Sequence, residues 1–288
     1  MLLSIDTISL RQRYNDETAL KMIKDAGFDA YDYSMFRANG ERDMLDDDYI
    51  EKAHKLRAFA DEIGLLCRQA HAPFDFTHTD TFDITNLNYL RIVRSMEVAS
   101  ILGATNIVVH AVKKDLPDNF DFYGFHRKFY RSFIPYCEKI GIKICVENLV
   151  GREKITLNKF PVFSDPVKHI EFVKSLESDW FNICVDVGHS ELLGYRAHDV
   201  IRTMNSEIFK VTHISDNDLT SDLHYLPYEG KLNWDEITSA FAEIGFCGDF
   251  SFELEGYLNR QKDEEVFEAL KLAEKTGRQL INKIKKGL

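Results

Sequence analysis

The chain has 288 residues, 44% apolar and 29% charged, with a formal net charge of −11. This is the composition of a soluble domain with a large core, and no apolar run approaches the ~20 residues that span a bilayer. The acidic balance argues against a surface that neutralises many phosphates, because nucleic-acid binding needs clustered Lys and Arg. The start, Met1-Leu-Leu-Ser-Ile-Asp6, already reads as a strand and has no basic, apolar leader, which points to a cytoplasmic protein. Cys67, Cys137, Cys145, Cys184 and Cys247 form no CxxC pair and read as reduced thiols.

In chain order, strands are expected at Leu2 to Ser9, Ala30 to Met35, Leu65 to Ala72, Asn106 to Ala111, Lys143 to Leu149, Phe181 to Gly188, Phe209 to Ser215 and Asp249 to Glu255. Segments at helical spacing fill the gaps. Asp16-Glu-Thr opens the first helix and Gly27 closes it, and Asp83-Ile-Thr opens the third before Gly103 closes it. Gly27, Gly64, Gly103, Gly141 and Gly245 fit the left-handed position of short helix-to-strand loops. Eight alternations without a low-complexity linker define one α/β domain over 1–288, a (β/α)8 TIM barrel. A doubly wound sheet ranks below it, since no Gly-rich phosphate loop follows the first strand.

Parity places the chemistry. In Ile144-Cys-Val-Glu147 and Ile183-Cys-Val-Asp186, the isoleucine and valine face the helices while the cysteine and the acid face inward. His213 shares its face with Val211 and Ser215, and both Glu253 and Glu255 face inward. Glu147, Asp186, His213 and Glu253 thus stand at the C-terminal ends of four consecutive strands spaced about 4.8 Å apart. Three inward carboxylates are costly unless a cation offsets them, so these four are the expected ligands of one divalent metal. Glu253 is preferred to Glu255 as the deeper of the two. Three carboxylates and an imidazole favour Mn2+, Mg2+ or Co2+, whereas recruitment of further histidines would favour Zn2+. His71, His110, His189, Asp222 and His224 surround this set. His54, His126, His169 and His198 read as surface or packing residues, and Phe74, Phe76 and Trp234 as core aromatics or a sugar-facing wall. Asp43 to Asp48 reads as a helix start, Lys283 to Lys286 as a helix end, and Arg152-Glu-Lys154 as a solvated loop on the site's side.

His71-Ala-Pro-Phe, Val108-Val-His110, Val146-Glu147-Asn148-Leu149, Val185-Asp186-Val-Gly-His189, Thr212-His213-Ile-Ser-Asp216, Asp222-x-His224 and Phe252-Glu253-Leu-Glu255 together resemble the xylose-isomerase-like barrel superfamily. Its members include sugar isomerases and epimerases, inosose dehydratase-type enzymes and endonuclease IV. The resemblance to ketose 3-epimerases implies one Mn2+-like ion on the four core residues, Glu147 and Glu253 exchanging the substrate proton, and His189 on the sugar. His71, His110, His224 and Asp222 are expected to complete a sugar-binding rim, with core packing or a second metal as the other roles open to His71 and His110. The resemblance to endonuclease IV implies instead that these nine residues hold three zinc ions. The favoured expectation is a metal-dependent sugar or sugar-derivative isomerase or epimerase working through an enediolate, on a small carbohydrate substrate and without a nucleic-acid partner. The alternatives are a dehydratase or lyase on a sugar, inositol or glycoside derivative, an abasic-site nuclease, and a metal-retaining, non-catalytic partner subunit. Specificity is expected in the loops Tyr33 to Asp43, Pro73 to Asp83, Lys113 to Phe125 and Val150 to Ser164. The sequence is compatible with a homo-oligomer without specifying one.

Overall fold

The computed structural model describes residues 1–35, 46–74, 77–113, 115–150, 163–204 and 207–287. Phe76, Arg152 and Lys154, with much of the expected specificity loops, lie outside the described residues.

Eight parallel strands form the wall: β1 (Leu3–Asp6), β2 (Ala30–Ser34), β3 (Leu66–His71), β4 (Asn106–Val108), β5 (Lys143–Glu147), β6 (Phe181–Asp186), β7 (Phe209–His213) and β8 (Phe250–Phe252). Each pairs with the next from β1 to β7, and β1 also pairs with β8, Leu3 opposite Phe250. The β7–β8 seam closes just beyond the strands, where Ile214 N donates to Ser251 O (2.9 Å) and Glu253 N to Ile214 O (3.2 Å). The result is a single-domain (β/α)8 barrel. Its strands are shorter than the alternation suggests, because helices begin within a few residues of several strand ends. Ser9 lies in α1 (Ile8–Arg13), Gly188 in α8 (Val187–Leu192) and Glu255 opens α11 (Glu255–Asn259).

The remaining helices are α2 (Asp16–Ala26), α3 (Tyr49–Ile63), α4 (Leu87–Leu102), α5 (Phe122–Arg131), α6 (Ile134–Ile140), α7 (Pro166–Lys174), α9 (Ala197–Thr203), α10 (Trp234–Glu243) and α12 (Val266–Gly287). Helix α2 starts as its sequence indicates, with Asn15 accepting from Thr18 N, and a short α1 precedes it. Helix α4 begins later than expected. Asn86 is its cap, accepting from Asn88 and Tyr89 N, while Asp83 closes a separate turn onto Thr85. All five junction glycines adopt positive φ, from 60° at Gly245 to 105° at Gly27. The basic run at 283–286 ends α12, and Asp46 and Asp48 pair with Lys52 at the start of α3.

Ile144, Val146, Ile183 and Val185 pack outward into the helix-facing core, whereas Val108, Cys145, Cys184 and Val211 form a separate layer inside the barrel. This is the alternation expected of a wall filled from within. The inner layer is the floor on which the polar residues above it stand. All five cysteines are free thiols, and only Cys247 is exposed. No described helix is long and apolar enough to cross a membrane.

Candidate metal centre at the barrel mouth

Glu147 and Asp186 end β5 and β6, His213 ends β7, and Glu253 follows β8. Each offers one ligand atom within 4.8 Å of the others, and all four residues are buried. Glu255 stands one step outside and groups with His224 and Glu253 instead.

Asp186 is shaped by the turn that follows it. Its Oδ1 caps α8, accepting from His189 N at 2.7 Å, while its Oδ2 is buried without a hydrogen-bond partner. Asn148 fixes this turn: its Oδ1 accepts from Asp186 N (2.8 Å) and its Nδ2 donates to Asp186 O (2.9 Å). His213 Nδ1 lies 2.7 Å from Glu147 Oε1 and 3.4 Å from Glu253 Oε2. A neutral imidazole there would aim a lone pair at two carboxylates or carry its proton on that side, and a cation shared by the same atoms removes the conflict. The orphaned Asp186 oxygen and this hard oxygen-and-imidazole donor set fit a divalent ion.

The charges of the cluster shift one another's proton affinity. Burial raises the Glu253 carboxyl well above the ordinary range, reinforced by Glu255 and opposed by His213, and burial likewise raises Asp186. Glu147 is buried too, which opposes its charge, yet His213, His110 and His71 hold its carboxyl well below that range. Burial opposes charge on His213, but Cys184, Glu253 and Glu147 together lift it well above the usual imidazole value.

Two further groups flank the first. On one side, His71 donates from Nδ1 to Ala72 O (2.8 Å), which leaves its Nε2 2.9 Å from His110 Nε2 and 3.8 Å from Glu147 Oε2. His110 Nε2 lies 2.7 Å from the same oxygen, and Phe74 stacks on its ring at 4.6 Å. Burial, then His71, lowers His110 to about 3, so it is neutral at neutral pH. The two oxygens of Glu147 therefore face different groups, Oε1 towards His213 and Oε2 towards His110. On the other side, His189 donates from Nδ1 to Asn148 O (2.8 Å) and turns Nε2 towards Asp222 Oδ2 (3.5 Å). His224 Nε2 lies 3.2 Å from Asp222 Oδ1, and its backbone has positive φ (45°), uncommon for a residue other than glycine.

The loop carrying Asp222 and His224 is tied down by Asp216, which accepts from Asn217 N, Tyr228 N, Leu232 N and Trp234 Nε1 at 2.7 to 3.1 Å. Gly230 is required there, because a Cβ would collide with the Asp216 carboxylate and the Asn217 carbonyl. Trp234 is thus a buried core residue and not a sugar wall. His126 and His169 are buried packing residues. His126 accepts from Val112 N (2.8 Å), and His169 Nε2 donates to Val146 O (3.1 Å).

Three residues near the centre escape the motif reading. Asp32 and Gln69, on β2 and β3, lie buried close to His213; inward parity on β2 was the available signal. Lys113, after β4, donates to Val150 O (3.3 Å) and feels the charges of Glu147 and Asp222.

A parallel eight-stranded barrel with an acidic and histidyl cluster at its C-terminal mouth defines the class. The chain belongs to the xylose isomerase-like TIM barrel family, whose model matches residues 20–276. It is 26% identical over 277 residues to an uncharacterized protein, y4fM, of Sinorhizobium fredii, covering 84% of this chain and 83% of that one. It is similar in fold to D-psicose 3-epimerase solved in the presence of D-fructose (TM-score 0.74, 16% identity, 98% and 99% of the two chains). A crystal structure of the IolI protein with a bound zinc atom is similar too (TM-score 0.73, 17% identity, 100% and 99%).

Proposed function

We propose that the protein is a divalent-metal-dependent isomerase or epimerase of a sugar or sugar derivative, acting by proton transfer at the carbon next to a carbonyl. The observation that carries this reading is the convergence of Glu147, Asp186, His213 and Glu253 within 4.8 Å of one another, buried at the mouth. The fold likeness to D-psicose 3-epimerase supports a sugar substrate, and that to zinc-bound IolI supports a metal.

A divalent ion bound there supplies Lewis-acid stabilisation of charge developing on the substrate oxygens. Glu147, kept ionised by the histidines around it, turns Oε1 towards His213, where it would help hold the ion, and Oε2 towards His110, where it would serve as the base for the substrate carbon. His110, neutral and 2.7 Å from that oxygen, orients it. Glu253 approaches from β8, three strands further round the wall, and in an epimerase returns the proton on the opposite face. His189 and the Asp222–His224 pair line the rim and hold substrate hydroxyls. The test is proton exchange: metal-loaded protein in D2O with ketoses should place deuterium on the carbon beside the carbonyl without elimination. An elimination product would move the assignment to a lyase.

A second reading is favoured by the two flanking groups, His71–His110–Glu147 and His189–Asp222–His224, each gathering three ligand atoms within 4.8 Å. With Glu147 facing two groups at once, the same mouth suits a three-metal phosphodiesterase. Three zinc ions per chain together with nicking of abasic DNA would establish it over the isomerase.

A further inference from the structure

His213 is approached by Asp32 from β2 as well as by Glu147 and Glu253. Asp32 and His213 are both 1% exposed, and Asp32 Oδ2 lies 3.6 Å from His213 Nε2 across the barrel interior, β2 to β7. His213 Nε2 and Asp32 Oδ1 are buried without a hydrogen-bond partner. Gln69 braces the carboxylate, its Nε2 lying 2.5 Å from Asp32 Oδ2 and 3.4 Å from Thr212 O, the residue before His213. The Cys184 thiol, which groups with Glu147 and His213, is a poor acceptor beside a carboxylate.

We infer that Asp32, braced by Gln69, is a positioning residue that fixes His213 with its N–H on Nε2, so that Nδ1 is the atom offered to a metal. The inference rests on the metal-centre reading above. Nδ1 faces carboxylates too, Glu147 Oε1 at 2.7 Å, but there a cation held by the same carboxylates can stand in for the proton. A lone pair on Nε2 would face the buried Asp32 carboxylate with nothing to offset it, so the N–H belongs on Nε2. A carboxylate behind a ligating imidazole fixes its tautomer and ring orientation and raises its basicity.

The direct test uses the wild-type chain, 15N-labelled and loaded with Zn2+ as a diamagnetic probe. Long-range 1H–15N correlation should report His213 protonated on Nε2, with Nδ1 shifted by the metal; protonation on Nδ1 with Nε2 shifted overturns the proposal. In parallel, Asp32→Asn should keep the number of bound Zn2+ ions while weakening their Kd about 10–100-fold, the cost usual for losing such a partner. Its metal-free melting temperature is the control for folding. Equal Zn2+ affinity in variant and wild type refutes the role of Asp32 and leaves the metal centre standing, whereas a wild-type chain that binds no Zn2+ removes both.

Discussion

At the residue scale, the centre concentrates charge that the fold does not satisfy by itself. Glu147, Asp186 and Glu253 are buried together, and the proton holdings of Asp186 and Glu253 are raised while His213 is driven towards imidazolium. A divalent ion competes with protons for these same atoms, so Mn2+ or Zn2+ should bind more tightly as the pH rises; metal titrations at two pH values show it. Glu147→Gln should lower deuterium exchange into substrate by about 10²–10⁴-fold, the range for loss of a placed base, even where the ion is retained. Unchanged exchange would remove Glu147 from proton transfer. These carboxylates were legible because an acid on the inward parity of an apolar strand has no structural excuse. Asp32 was less so. It stands between tyrosines in a strand whose partners, Gln69 and His213, come from β3 and β7, and pairing across a barrel leaves no local spacing to read.

At the element scale, the loop between β7 and α10 is built around one side chain. Removing Asp216 leaves the buried Leu232 amide and Trp234 indole, and the part-buried Tyr228 amide, without their acceptor, and each unsatisfied buried donor costs about 1–3 kcal/mol. Asp216→Ala should therefore destabilise the chain by roughly 3 kcal/mol or more. Hydrogen exchange should quicken at those two amides before the barrel strands respond. Helix α5 carries a pH dependence away from the metal centre. Burial lowers His126 to about 4 against about 6.5 when unfolded, so between these values the unfolded chain binds the extra proton. Stability from this residue is complete above about pH 6.5 and falls as the pH drops towards 4, by on the order of 3 kcal/mol. His126→Gln should flatten that part of a melting-temperature profile. Helix ends were legible where glycine closes them and misplaced where two capping residues compete, as Asp83 and Asn86 do before α4.

At the scale of the whole molecule, the barrel brings residues more than a hundred positions apart in sequence onto one rim, and the order of the strands was legible from eight alternations alone. The strand ends were not, because Val187 and Gly188 after β6 and Glu255 after β8 already belong to helices, which alternation cannot register. An ion bound only by the folded chain stabilises it by mass action, about 2.7 kcal/mol at a hundredfold excess over Kd. Melting temperature should rise with Mn2+ or Zn2+ and fall back with chelator. The most direct measurement is the number of metal ions per chain, by elemental analysis after loading and desalting, for wild type and Asp186→Asn. One ion per wild-type chain, lost or greatly weakened in Asp186→Asn, is the expected result. No retained ion would contradict the metal centre, and three would contradict the single-ion isomerase in favour of the phosphodiesterase.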